Sequence, residues 1–314
     1  MKTSRLIIMF LALATLVSCN KTQDKAGLDI VVDYQINEGP LLFDTLCYTN
    51  EAGNVFLITE IQWFLSNIEL KNTSGDWYTL HQLGLHDTLE ISRIFYIDTN
   101  IPGSQSLHVQ PIKAGNYTAV RFTFGLDEHD NWTGFFNNPP ESNMFWPEPL
   151  GGGYHYMKLN GKYLNAEGNL SPLNVHLGIG QNEDLSQFYQ NYFTVELPVD
   201  ISLKANTENR FNLTMIIDNW FRQPHTYDFN VWGGAIMQNQ EAQRVLKING
   251  SNVFKVFQNN ETQTNSDIAM KKGAQIEKRF RAFMQKAAPK PHFWTLENVE
   301  ATLEQIKESN KNRS

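Results

Sequence analysis

Cysteine and positive charge are both scarce in this chain of 314 residues. Its two cysteines, Cys19 and Cys47, exclude a disulfide framework, so stability has to come from a core that the 41% of apolar residues can build. Lys and Arg number 26 against 33 Asp and Glu, which gives a net charge of -7. Because no basic stripe accompanies aromatics suited to base stacking, we do not expect the chain to bind nucleic acid.

The short motifs of common enzymes are also missing. The sequence has no Gly-x-Ser-x-Gly elbow, no His-Glu-x-x-His, no Gly-rich phosphate loop, no EF-hand loop and no Cys-x-x-Cys. Their absence disfavours a conventional hydrolase or a nucleotide-dependent enzyme. We therefore predict a binding protein without catalytic residues.

An export signal opens the chain. Two basic residues precede an apolar stretch, residues 6–17, that is too short to span a bilayer as a stable helix. The stretch runs into the tetrapeptide LVSC, which ends at Cys19 and resembles the bacterial lipobox. We predict a lipoprotein signal peptide over residues 1–19, lipidation of Cys19, and a tether over residues 20–26. The mature protein is then anchored by lipid to the inner or outer membrane of the cell envelope.

Residues 27–257 show the alternation of apolar and polar side chains that is typical of half-buried strands. In residues 120–124 the even positions are apolar and the odd positions are polar. Gly, Pro and Asn separate many short segments of this kind, which favours antiparallel pairing over βαβ units. We therefore predict an all-β fold, an antiparallel β-sandwich. Its main strands are expected at residues 28–34, 55–70, 107–112, 117–125, 154–160, 173–178, 192–199, 211–217 and 253–257.

The pattern changes after residue 257. Residues 258–314 are rich in Lys, Glu, Gln and Ala, and their apolar residues recur at helical spacing on both sides of Pro289 and Pro291. We predict a C-terminal helical tail. Two interpretations of this tail stay open: it packs on its own domain, or it docks a partner protein.

Histidine, methionine and tryptophan are concentrated between residues 127 and 178. Imidazole nitrogen and thioether sulfur suit copper in both of its common oxidation states. His129 lies between Glu128 and Asp130, a setting that fits an exposed loop histidine better than a ligand. The full set is His129, Trp132, Met144, Trp146, His155, Met157 and His176.

Several pieces of residues 28–256 together resemble the MbnP-like proteins, a family of secreted, copper-associated β-rich proteins. The resemblance implies a β-sandwich and a copper-linked periplasmic function. In some members it also implies a tryptophan oxidised to kynurenine beside the metal by a dihaem peroxidase-like partner. Members often carry a cysteine after the last piece, where this chain has Ile179-Gly180-Gln181. The pieces are residues 60–70, 122–127, 144–146, 153–161 and 175–178.

We place the candidate copper site at His176, His155 and Trp146. His176 shares a strand face with Gly178, which leaves room for a ligand, whereas the strand face of His155 looks like core. The alternatives are a hydrogen-bonded structural histidine, a core histidine and a packing lid beside Pro147. Because neutral imidazoles bind copper, its affinity is expected to fall as pH drops through about 6.5.

Two other classes of function compete with copper binding. A carbohydrate-binding or peptide-binding lipoprotein would use exposed tryptophans as stacking platforms. A structural or interaction protein would dock through the tail. The candidate platforms are Trp63, Trp77, Trp132 and Trp232.

Overall fold

The computed structural model describes residues 24–84, 91–101, 103–182, 184 and 186–258. Cys19 with the predicted signal peptide, and the predicted tail from residue 259 onward, lie outside the described residues. Within these residues the α-helices are α1 (Phe229–Trp232) and α2 (Gln240–Asn249). The strands are β1 (Lys25–Ile36), β2 (Gly39–Pro40), β3 (Tyr48–Thr49), β4 (Val55–Asn72), β5 (Trp77–Thr79), β6 (Ile94–Asp98), β7 (Ser106–Lys113), β8 (Gly115–Phe124), β9 (Met157–Leu164), β10 (Leu170–Leu177), β11 (Gly180–Gln181), β12 (Phe188–Tyr189), β13 (Phe193–Leu203), β14 (Glu208–Ile216) and β15 (Phe254–Gln258).

The first sheet is built around β1. Its strand order is β15-β14-β1-β2, and β7 also pairs with β1. Strands β1 and β14 run parallel, whereas the other pairs of this sheet are antiparallel. Every second side chain of β1 is buried, from Ala26 to Ile36. This alternation gives the sheet one face toward the core.

The second sheet is built around the long strand β4. Its order is β10-β9-β4-β8-β13, and β3, β5 and β6 add further pairs along β4. All of these pairs are antiparallel. Strand β10 is therefore an edge strand of this sheet, next to β9. A separate small ribbon pairs β11 with β12.

The core lies between the two sheets and is rich in aromatic rings. Phe254 of the first sheet packs against Trp63 and Phe124 of the second, with ring centroids 5.5 and 6.1 Å apart. The indole Nε1–H of Trp63 donates to the hydroxyl of Tyr34 on β1 at 3.1 Å. These contacts join the faces of two sheets, and the predicted β-sandwich is confirmed.

Three local features differ from the sequence-based expectation. Strand β1 begins at Lys25, inside the segment assigned to the tether, and Ala26 is fully buried. Strand β9 begins at Met157, three residues later than predicted, so His155 lies in the preceding loop rather than on a strand. Helix α2 was not predicted. No helix within the described ranges is long and apolar enough to cross a membrane.

Candidate functional site

The candidate residues meet at the edge of the second sheet. His176 lies near the end of edge strand β10. His155 lies just before β9, the strand that pairs with β10. Trp146 lies in the loop between two short 3-10 helices, Glu141–Met144 and Glu148–Leu150. Two loops and the end of a strand therefore meet at this edge of the second sheet.

Trp146 is buried and hydrogen-bonded on both its side chain and its backbone. It is completely buried, its Nε1–H donates to the carbonyl of Leu150 at 3.0 Å, and its backbone N–H donates to Gly153 at 2.8 Å. The ring lies directly against Gly178, where any β-carbon would overlap the six-membered ring. Gly178 is thus required by the close approach of the indole.

Gly178 is itself fixed by polar side chains from outside the predicted site. Its carbonyl accepts from Nδ2 of Asn191 at 3.0 Å. The same Asn191 amide donates at 3.0 Å to Gln243, a fully buried residue of α2. Helix α2 therefore helps to position Gly178, the residue against which the Trp146 ring packs.

His155 has one nitrogen committed and one bare. Its Nδ1 lies 2.9 Å from the carbonyl oxygen of Met144, which also accepts the His155 backbone N–H at 2.6 Å. A carbonyl oxygen only accepts, so Nδ1 carries the proton and Nε2 of the neutral ring holds a lone pair. Nε2 is buried and has no hydrogen-bond partner among the described residues. Six other buried polar side-chain atoms of the described residues also lack a partner, but His155 Nε2 is the one among them that belongs to an imidazole, whose lone pair can bind a metal.

The ring of His155 stands between the other two candidates. Its centroid lies 4.7 Å from the Trp146 ring and 5.1 Å from the His176 ring, in both cases edge to face. His176 is half-buried, and its Nε2 lies 2.8 Å from Oδ1 of Asn160. The three residues predicted from sequence therefore form one cluster.

Both histidines favour the neutral form. Burial lowers the pKa of His155 to about 3, against a raising contribution from the Met144 carbonyl. Burial also lowers the pKa of His176 to about 4, and the nearby ammonium of Lys158 acts in the same direction. Two neutral imidazoles side by side at physiological pH are the form in which histidine binds metals.

Other potential ligands are arranged differently. Asp127, His129 and Asp130 form the one cluster of three metal-ligating side chains found within the described residues. The Asp130 carboxylate accepts from Nη2 of Arg93 at 3.0 and 3.1 Å, and Nδ1 of His129 lies 2.8 Å from its Oδ1. Asp127 accepts from two backbone N–H groups and from Asn67. These donors already satisfy the cluster.

The tryptophans do not form a stacking platform. Trp63 is completely buried in the core, so the prediction that it could hold a flat ligand is wrong. The face of Trp77 is covered by the Arg121 guanidinium, 4.1 Å from the ring centroid. Trp232 is half-buried and stacks on Tyr227. Only Trp132 of the four is more than half exposed, at 53%.

Sequence reasoning missed the residues around the cluster. Asn160 contacts His176, and Glu60 accepts from the other end of the Asn160 amide at 3.0 Å. Both occur in the segments that carry the family resemblance, but strand register, which brings them together, is not readable from one sequence. Gln243 was missed because helix α2 was not predicted. Asn191 was missed because it lies in the loop between β12 and β13, outside any motif.

Comparison with known proteins agrees with this fold. The family model for MbnP matches residues 25–245. Among solved structures, MbnP from Methylosinus trichosporium superposes with a TM-score of 0.51 at 12% sequence identity, over 74% of this chain and 99% of that chain. At that identity the superposition shows a shared fold alone. No curated protein sequence matches the chain. Because the family model spans most of the chain, including both histidines and Trp146, the chain belongs to the MbnP family.

Proposed function

We propose that this protein binds copper through His155 and His176, beside Trp146. The observation that carries the proposal is the bare Nε2 of His155, a buried lone pair with no partner among the described residues. The ring of His176 lies next to it, and both rings stay neutral well below physiological pH. A metal ion bound at Nε2 would supply the partner that this buried lone pair lacks and would offset the cost of burying it.

The donor set favours copper over zinc. Structural zinc sites take four protein ligands and catalytic ones take three. Within the described residues no third His, Cys, Asp or Glu joins the pair, because the one such cluster of three lies elsewhere. Imidazole is a good copper ligand, and Cu(I) accepts few ligands in an apolar setting. A bound copper ion would give the protein a redox-active ion held away from water.

Trp146 is the residue we assign to oxidative modification. Its indole contacts His155 edge to face and so lies beside the proposed ion. The family resemblance supports its conversion to kynurenine by a dihaem peroxidase-like partner. Mass spectrometry of the peptide that contains Trp146, from protein made in the native host, tests this. The expected result is the kynurenine mass on Trp146 and on no other tryptophan, whereas an unmodified peptide removes the assignment.

We further propose that the protein works as a lipoprotein in the cell envelope, anchored through Cys19. The support is the lipobox-like tetrapeptide behind an apolar stretch of signal-peptide length. Cys19→Ala is expected to release the protein from the membrane fraction, because the thiol is the acyl acceptor. Cys47→Ala is the matched control and keeps the protein in that fraction. Unchanged membrane retention of Cys19→Ala contradicts the proposal.

Copper titration of the purified protein tests the proposed site. His155→Ala and His176→Ala are each expected to weaken copper binding at least tenfold, because each removes one of two ligands. His108→Ala is the control, since His108 is exposed and pairs with Asp29 away from the site. Equal affinity in all four proteins, or no copper binding by the wild type, contradicts the proposal. Since burial lowers both pKa values, we expect affinity to fall near pH 4 rather than near 6.5.

A further inference from the structure

A line of polar side chains crosses three neighbouring strands and ends at His176. Glu60 lies on β4, directly opposite Asn160 on β9. His176 lies on β10, opposite Lys158 and two residues from the position that faces Asn160. The Glu60 carboxylate accepts from Nδ2 of Asn160 at 3.0 Å, and Oδ1 of Asn160 lies 2.8 Å from Nε2 of His176.

The direction of these hydrogen bonds is fixed from the carboxylate outward. An ionised carboxylate only accepts, so the amide group of Asn160 has to turn its NH2 toward Glu60. The other Glu60 oxygen accepts from Asn100 at 2.6 Å, which holds the carboxylate in place. Flipping the Asn160 amide would set its oxygen against the carboxylate. Oδ1 is therefore left facing His176.

The same logic fixes the proton on His176. Because Oδ1 accepts, Nε2 of His176 has to carry the hydrogen, and the neutral ring then leaves Nδ1 bare. We propose that Glu60 and Asn160 are positioning residues that hold His176 in the Nε2–H tautomer, so that Nδ1 is the nitrogen offered to a metal. This inference rests on the proposed copper site for its purpose, but the tautomer exists without copper.

The proposal gives the two histidines opposite roles for their nitrogens. His155 is held through Nδ1 by a backbone carbonyl and offers Nε2, whereas His176 is held through Nε2 and offers Nδ1. Hydrogen-bonded partners of this kind orient metal-binding histidines and raise the basicity of the ligand nitrogen. The Glu60 carboxylate thus polarises the Asn160 amide toward His176, while the carboxylate itself stays two hydrogen bonds away from the imidazole.

Histidine nitrogen NMR on the copper-free full chain tests the tautomer directly. Two-bond and three-bond proton-to-nitrogen correlations of 15N-histidine protein distinguish Nδ1–H from Nε2–H, and His176→Ala identifies the signals of His176. The wild type is expected to show His176 as Nε2–H. Glu60→Gln frees the Asn160 amide to flip, so a mixture with Nδ1–H is expected although Glu60 does not touch the ring. Glu69→Gln, on the same strand but paired with Arg121, is the control and leaves the tautomer unchanged.

Copper affinity supplies the second measurement. Asn160→Leu removes the acceptor and is expected to weaken copper binding about 10- to 100-fold, with the wild-type circular dichroism spectrum retained. An Nδ1–H tautomer in the wild type overturns the inference, as does an unchanged tautomer in Glu60→Gln. Wild-type protein that shows the Nε2–H tautomer but binds no copper contradicts the proposed function and leaves the positioning of His176 standing.

Discussion

His155 and His176 are two imidazoles at a sheet edge, and the positive charge of Lys158 opposes their protonation. A charged ring there would lose its hydration without gaining a carboxylate partner. The fold therefore stabilises the neutral form, which is also the form that binds metals. The same arrangement makes the copper-free protein sensitive to acid.

The pH dependence of stability follows from these two residues. In the unfolded chain both rings titrate near 6.5, whereas in the folded chain the pKa values are about 3 and about 4. Below about pH 6.5 the unfolded state therefore binds more protons, so the free energy of unfolding falls as pH drops toward about 4.

Urea denaturation across that pH range measures the effect. His155→Gln removes one titrating ring, so its stability should depend less steeply on pH than that of the wild type. His108→Gln changes a histidine outside the site and serves as the comparison variant. Identical slopes for His155→Gln and the wild type would show that the buried ring does not contribute.

Gly178 provides a second prediction for a single residue. In Gly178→Ala the new methyl group would overlap atoms of the six-membered ring of Trp146, which is fully buried. We expect a loss of about 1 to 3 kcal/mol in the free energy of unfolding, as for other overpacked cores. Adding Trp146→Phe should recover part of that loss in a double-mutant cycle, because the smaller ring leaves room. Wild-type stability of Gly178→Ala would contradict the close approach.

At the scale of elements, β15 closes the first sheet and carries a ring into the core. Phe254 packs on Trp63, Phe122 and Phe124, and β15 pairs with β14. All the described strands of both sheets lie between Lys25 and Gln258.

Truncation tests where the folded unit ends. A chain of residues 24–258 is expected to fold cooperatively with a β-type circular dichroism spectrum. A chain of residues 24–252 should be unstable, because removal of a buried phenylalanine alone costs about 3 to 5 kcal/mol. Failure of the longer chain to fold would show that the C-terminal region is part of the domain.

The strands were largely predictable and their partners were not. Period-two alternation and, for β4, a β-branched and aromatic run located nine strands within a few residues, whereas β6 and five strands of two or three residues were not predicted. Helix α2 was missed although its signal is local, because Asn239 caps its first turn and the buried residues Ala242, Val245 and Leu246 recur at helical spacing. The parallel pairing of β1 with β14 joins residues about 180 positions apart, for example Leu28 with Asn209. Nothing local in the sequence encodes such a contact.

At the scale of the whole molecule, the family match contains all the residues of the candidate site. The family model covers residues 25–245, and the site lies within that range. The resemblance selected His155, His176 and Trp146, but strand patterning placed His155 on a strand, whereas it lies in the loop before β9. Only the folded chain shows that Met144 and Asn160 each hold one histidine nitrogen. Those contacts depend on loop path and register.

The most direct test of the central claim is anomalous diffraction at the copper edge from crystals of the copper-loaded protein. The account predicts one anomalous peak within bonding distance of Nε2 of His155 and Nδ1 of His176, next to the ring of residue 146. The Asp127, His129 and Asp130 cluster serves as an internal control and should carry no peak. A peak at that cluster instead, or no peak near His155 and His176, would contradict the account.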